Sequence, residues 1–277
     1  MVRFVSVVVL ATMVGVSLAE PPRFKFQKGE TLTYHLVHTT RVTEIVIDEK
    51  TNKSVETEAT TNVDLTRKWK VTEVNAAGVA TLEMTIASIR WERKAGKDED
   101  IFDSTKPDDL NKSELAKHVG PVLAIVCVDG NGRVVEVKQS KAAPAERFQA
   151  ELPFKIVLPA MEPTLGESWN RSFSVKLDPP FGTGEKYAAS QKYVCQEPKS
   201  GLLTLSVSTE IKELPASASE QIPLLPTLIE GTLYFHAQTG RYYAARLKIQ
   251  KELKSHQGEG SVYRFASTFV EDIVPEK

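Results

Sequence analysis

The stretch VCVDGNGRVVEV, Val126 to Val137, sets Asp129 and Asn131 two residues apart among glycines, in the manner of a calcium loop. Such a loop needs oxygen ligands at alternate positions and a later glutamate. Here the next alternate position is Arg133, a cation, and no glutamate stands at the required distance. A second stretch, YFHAQTGRYYAARL from Tyr234, repeats the pairing in Gly240-Arg241 with no carboxylate in its loop at all. The two stretches share a glycine between runs of alternating apolar residues. That is the signature of a tight β-hairpin whose glycine takes the left-handed conformation. The stretch reads as a turn, and period-two alternation becomes the signal to follow along the chain.

Working outward, the same period dominates. In GLLTLSVSTEI, Leu203, Leu205, Val207 and Ile211 share one face, as expected of a half-buried antiparallel strand. In VATLEMTIASIRW, Leu82, Met84 and Ile86 share a face, but Ile89 and Trp91 have the opposite parity. An extra residue must intervene if all five point inward, which predicts a β-bulge near Ala87-Ser88.

Three landmarks occur twice in the same order. KGETLTYHL from Lys28 is matched by LGESWNRSF from Leu165. KWKVTEVNAAGVATLEMTI from Lys68 is matched by KYVCQEPKSGLLTLSVSTEI from Lys192, and the Gly-Arg hairpins form the third pair. The expected fold is mainly β: two related antiparallel curved-sheet units, residues 20–140 and 166–277, with one or two short helices between them. The linker, 141–165, should hold a short helix from Pro144 to about Glu151, before Pro153 forces an extended path. A further helical turn is expected in KSELAKHVG. The charge-dense KAGKDEDIFDSTKPDDLNK reads as a mobile, exposed insertion.

The first 19 residues carry Arg3, the apolar run Val5–Val16 and a small-residue end at Ser17-Leu18-Ala19. This is the pattern of a secretory signal peptide cut after Ala19, and it predicts an exported protein, periplasmic or extracellular. The apolar run is shorter than the roughly 20 residues that span a bilayer, so no integral membrane segment is expected after cleavage. The formal charge of the whole chain is −1, which gives no electrostatic case for a nucleic-acid partner. Cys127 and Cys195 admit either one bridge or two buried thiols.

Enzyme signatures fail on physical grounds. Ser168 in GESWN lacks the second glycine of a nucleophile elbow. Neither Gly130-Asn131-Gly132 nor Gly182-Thr183-Gly184 has the third glycine of a dinucleotide fingerprint. His35 and His38, three apart on a strand, point to opposite faces and cannot share an ion. The acidic run Asp98 to Asp109, interspersed with Lys97 and Lys106, reads as a hydrated loop. No catalytic, cofactor-binding or metal-binding residue is assigned, and no cofactor is expected.

The aromatics Trp69, Tyr193, Tyr243, Tyr263, Phe265 and Phe269 alternate with polar neighbours. They either fill the core of a sheet or line a curved sheet that holds an apolar ligand; Trp69 and Phe265 are assigned to the core. The pattern of KGETLTY, of LP…P…GESW at mid-chain and of HAQTGR resembles an uncharacterised family of exported bacterial β-rich proteins, a domain of unknown function with a duplicated β unit. That resemblance implies export and a duplicated antiparallel architecture, with no assigned activity. More remotely, two curved half-sheets in an exported protein look like the periplasmic lipoprotein carriers. The functional expectation is a non-enzymatic binding or envelope-associated module whose partner is an apolar small molecule or an envelope protein. The alternative is an extracytoplasmic enzyme with a site assembled from dispersed residues.

Overall fold

The computed structural model describes residues 20–275 except Glu49, Asn111, Lys112 and Ala142; the leader expected at 1–19 lies outside the described residues. Twelve strands run in chain order as β1 (Thr31–Asp48), β2 (Lys53–Val74), β3 (Ala80–Ala95), β4 (Asp98–Asp103), β5 (Val122–Val128), β6 (Val134–Ser140), β7 (Ser168–Leu177), β8 (Glu185–Lys199), β9 (Leu202–Ile211), β10 (Glu230–His236), β11 (Arg241–Lys254) and β12 (Val262–Ile273). Short helices α1 (Pro107–Leu110), α2 (Ala145–Glu151) and α3 (Ala218–Gln221) join them, with 3₁₀ turns at Glu114–His118 and Ile222–Thr227. The mainly β expectation holds.

The strands form one antiparallel sheet in the order β6-β5-β3-β2-β1-β12-β11-β10-β9-β8-β7, with β4 paired to β3. The two expected units are thus halves of one continuous surface, joined where β12 pairs with both β1 and β11. The repeated landmarks fall on β1 and β7, on β2–β3 and β8–β9, and on β5–β6 and β10–β11. Both meanders advance across the sheet in the same sense.

Alternation fixes which face is buried, because a strand turns successive side chains to opposite sides. On β1, Leu32, Tyr34 and Leu36 are buried while His35 is exposed. The register carries this inward row across the sheet, Leu32 opposite Trp69 and Leu36 opposite Leu65 and Glu271. The expected bulge is present: Thr66 pairs with Ser88 but Arg67 with Ile86, so Ala87 is the extra residue that keeps Ile86 and Ile89 on one side.

Both Gly-Arg turns are hairpins with left-handed glycines, Gly132 at φ 88° and Gly240 at φ 68°. Asp129 spends its carboxylate on the turn itself, its Oδ1 accepting from the backbone N–H of Asn131 and of Arg133, each at 2.9 Å. The linker helix forms at Ala145–Glu151, and the turn in KSELAKHVG forms as a 3₁₀ turn capped by the Ser113 hydroxyl.

The charge-dense insertion differs from expectation. Residues 98–103 form β4 against the far end of β3, Phe102 is buried opposite Trp91, and Lys94 pairs with Glu99 at 2.8 Å. A strand long enough to extend past its neighbour leaves an edge to be paired, and one buried aromatic with rim charges facing water is enough to dress it. Composition alone missed that pairing.

Candidate functional site on the inner sheet face

A sheet with one apolar face must cover it. The cover comes from the linker, in Leu152-Pro153-Phe154-Lys155-Ile156-Val157-Leu158. Phe154, with no solvent exposure, has ring centroids of Phe24, Phe26, Tyr34, Trp69 and Tyr242 within 5.2 to 6.1 Å. The same linker bonds both edges of the sheet. Leu158 N–H donates to Asn131 O on the β5–β6 hairpin at 2.8 Å, and Trp169 Nε1 of β7 donates to Val157 O at 2.7 Å. Two edges that reach adjacent residues of one segment require a sheet curled into a trough, with α2 packed in the gap between β6 and β7. At the other end of the trough, Leu224 and Leu225 of the second 3₁₀ turn pack on Ile211 and on Ile249 and Phe265 respectively.

Between these two plugs the floor is polar. Arg67 and Glu271 form an ion pair in which Glu271 is wholly buried. Tyr242 Oη donates to Glu271 Oε2 at 3.0 Å, and Tyr34 Oη donates to the Tyr242 carbonyl at 3.1 Å. Burial, followed by the Glu271 charge, raises both tyrosines above the ordinary phenol range, so they remain neutral donors. Arg67 also donates to Pro153 O at 3.3 Å, which ties the ion pair to the linker.

Lys155 turns out of the apolar row of the linker. Its backbone is left-handed at φ 57°, an uncommon conformation for a non-glycine residue. Its Nζ donates to Glu151 O at 3.0 Å and lies 5.6 Å from the Phe269 ring centroid. Burial lowers the Lys155 ammonium below the usual lysine range, with Glu151 opposing and Arg67 adding to the effect. Glu151 keeps about half of its side chain in solvent and pairs with Arg147 at 2.6 Å. Burial would raise its carboxyl, but Lys155 and Arg147 outweigh that and hold it low. On β7, Arg171 donates to Gln191 Oε1 at 2.8 Å and to Gln149 O at 2.8 Å, which anchors α2 to the sheet.

His38 lies inward on β1 with Nε2 at 2.7 Å from Ser267 Oγ. Burial, then Lys155, depress its pKa, so it is neutral at pH 7. A serine beside a neutral histidine is the geometry of an activated nucleophile. Two features argue against that use. Nothing among the described residues bonds the other ring nitrogen to orient the imidazole, and Ser267 sits inside β12, laddered to β1 on one side and β11 on the other. The backbone on either side of Ser267 is engaged in those ladders, unlike the free amides that usually stabilise an oxyanion.

Level with Leu36 and His38, the inward face of β2 and β3 is apolar, with Leu65 and Ile89 in the row of Leu36, and Val63 and Trp91 in the row of His38. Val63, Leu65, Ile89 and Trp91 are half-buried on the face that carries Phe269, and the next inward row, Thr40, Thr61, Arg93 and Ser267, separates them from Val42 and Phe265. The trough therefore offers an apolar strip with a few convergent polar groups at its inner end.

The residues singled out in sequence fall as follows. His35 is on the outer face against Asp64 at 2.8 Å, separated by the sheet from His38. Trp69, Tyr193 and Phe265 are core residues, Tyr263 and Phe269 are half-buried, and Tyr243 is exposed on the outside. Both cysteines are buried free thiols. Cys195 belongs to the main core, whereas Cys127 sits beside Thr81 and Glu136 and is outside that cluster, so the two never meet. Sequence reading missed Lys155, Arg67 and Glu271 because each is an unremarkable charge in its own segment. The available signal was a lysine breaking the apolar run of LPFKIVL.

No protein-family profile matches the chain, and no curated protein matches it. Among solved structures it is similar to lipovitellin, described for its lipid–protein interactions, at 12% identity and a TM-score of 0.49. That match covers 91% of this chain and 26% of that one, so the chain spans about a quarter of lipovitellin's length. It is also matched to DynF of the dynemicin biosynthesis pathway of Micromonospora chersina, at 11% identity, a TM-score of 0.18 and coverage of 95% and 92%. A DUF1329 family protein from Desulfovibrio piger matches at 10% identity, a TM-score of 0.17 and coverage of 86% and 83%.

Proposed function

We propose that this chain is an exported, non-catalytic binding module that holds an apolar ligand on the half-buried apolar part of its inner sheet face. The observation that carries this reading is the half-buried group Val63, Leu65, Ile89 and Trp91, which faces the inside of a curved sheet beside the segment plugged by Phe154. A concave apolar surface with a few converging polar groups is the usual form of a small-molecule site. Charged substitutions in this row separate binding from folding. In Val63→Glu and Leu65→Glu, binding of a hydrophobic fluorescent probe should fall at least tenfold, while the melting temperature moves by only a few degrees because both side chains already touch solvent. Unchanged probe binding in both variants would remove this reading. Export rests on residues 1–19, and its test is N-terminal sequencing of the product recovered outside the cytoplasm, which should begin at Glu20.

A further inference from the structure

We infer that β7 is a docking edge, on which an extended segment of a partner protein, alternating apolar and acidic residues, adds as a further strand in the cleft beside α2. The site lies at the seam of the trough, apart from the apolar strip of β2 and β3, and does not require that strip to bind anything.

An open sheet has two edges, and this molecule treats them differently. β6 is seven residues long, and its register against β5 shifts twice, between Ile125 and Val126 and between Cys127 and Val128. Short length and irregular pairing are ordinary ways to stop another chain from joining an edge. β7 has neither. Its ten residues keep an unbroken register against β8 from Ser168 to Leu177 and include no proline. Its two charged side chains are both engaged, Arg171 by carbonyls of α2 and Lys176 by Asp178 at 2.8 Å. The hydrogen bonds at its ends fix which backbone groups are open. Glu167 O accepts from Cys195 N–H at one end and Leu177 O accepts from Gly184 N–H at the other, both at 2.8 Å. Odd-numbered residues therefore face β8, and Asn170, Ser172, Ser174 and Lys176 turn their N–H and C=O groups away from it. None of these outward groups has a backbone partner among the described residues.

The open edge borders a cleft of 390 Å³ whose opposite wall includes Glu146, Gln149 and Ala150 of α2. From Arg171 to Lys176 the edge runs roughly 17 Å, room for about five residues of an added strand. The surroundings set the composition of that strand. Alternate side chains would turn to the inner face, where Phe173 and Val175 are half-buried and Leu152 and Val157 line the cleft, which calls for apolar residues. The others would turn outward beside Ser172, Ser174 and Lys176. Four cations, Arg133, Arg171, Lys176 and Lys186, line the cleft against one carboxylate, Glu146, and Asp178 offsets one more. Lys176 and Lys186 stand directly opposite each other on β7 and β8, a like-charge pair that a neighbouring acidic residue would relieve. Main-chain bonds give an added strand its affinity, and these side-chain positions give it its choice of sequence.

The test uses the full chain and fluorescein-labelled heptapeptides, Val-Glu-Val-Glu-Val-Glu-Val and its lysine counterpart, read by fluorescence polarisation at pH 7. The glutamate peptide should bind about tenfold more tightly than the lysine peptide. Methylation of one alternate set of its peptide nitrogens should abolish binding and methylation of the other set should spare it, since only one set faces β7. Ser174→Pro removes an outward N–H on an edge strand, where proline is tolerated, so binding should fall about tenfold while the melting temperature stays within a few degrees of wild type. Lys186→Glu should lose the preference for glutamate over lysine. Val63→Glu, which alters only the inner strip, should leave peptide binding unchanged, so the two sites fail or stand separately. No binding of the glutamate peptide, equal binding of the two peptides, or binding that tolerates methylation of either set overturns the assignment. Should Ser174→Pro not fold, judged by far-UV circular dichroism, the methylated peptides decide alone. A wild-type dimer in sedimentation that Ser174→Pro converts to a monomer, with no peptide bound, gives the edge to a second copy and overturns the choice of partner.

Discussion

Glu271 carries more of the molecule's electrostatic risk than any other side chain described. It is fully buried, it neutralises Arg67, and it accepts from Tyr242. Removing one member of a buried pair strands the other, which typically costs about 3–5 kcal/mol. Glu271→Gln should therefore lower stability by about that amount in urea denaturation, and Arg67→Met combined with Glu271→Met should recover most of it. The tyrosines beside this pair set the alkaline limit. Their pKa values are raised in the folded state relative to an unfolded value of about 10, so above that pH the unfolded chain releases protons that the native chain keeps. Stability is then full below about pH 10 and falls as pH rises beyond it. Tyr34→Phe should flatten that decline, measured as urea midpoints between pH 8 and 11; an equally steep decline in the variant would show that Tyr34 takes no part.

At the scale of elements, much was legible in the sequence. Alternation located the strands, the parity switch between Ile86 and Ile89 located the bulge at Ala87, and Pro144 with Pro153 bracketed α2. The glycines of the two hairpins do more than turn the chain. A Cβ on Gly132 would stand 2.6 Å from Ile156 O, and one on Gly240 would stand 2.6 Å from Arg23 O. Each hairpin is thus pressed against another segment, the linker in one case and the backbone of Arg23 and Lys25 in the other. Gly78 is also left-handed but has nothing within 4 Å. Gly132→Ala and Gly240→Ala should each cost at least about 1 kcal/mol more than Gly78→Ala in thermal melts, since only the first two add a clash to the backbone strain. What stayed illegible has a common cause. Arg67 and Glu271 are 204 residues apart, Tyr34 and Tyr242 bond across 208, and nothing local marks any of them. Insertion residues 98–103 misled for the converse reason: their composition is that of a hydrated loop, while their structure is decided by the unpaired edge of β3.

For the whole molecule, the decisive feature is the place of β12. It is the twelfth strand made and lies between the first, β1, and the eleventh, β11, with an unbroken register on both sides. Order of synthesis therefore runs against order in space. Until Val262–Ile273 arrives, β1 and β11 are both bare edges, the arrangement most prone to pair with another chain. The N-terminal meander can zip locally, but the trough cannot curl, and Glu271 is not yet there to meet Arg67. A chain lacking residues 262–277 should sediment as aggregates rather than as a monomer, and a synthetic peptide of 262–275 added during refolding should restore the monomer. Closure of the trough therefore waits on one strand: even with the two meanders each in place, β12 is the keystone whose arrival joins β1 to β11 in a single step.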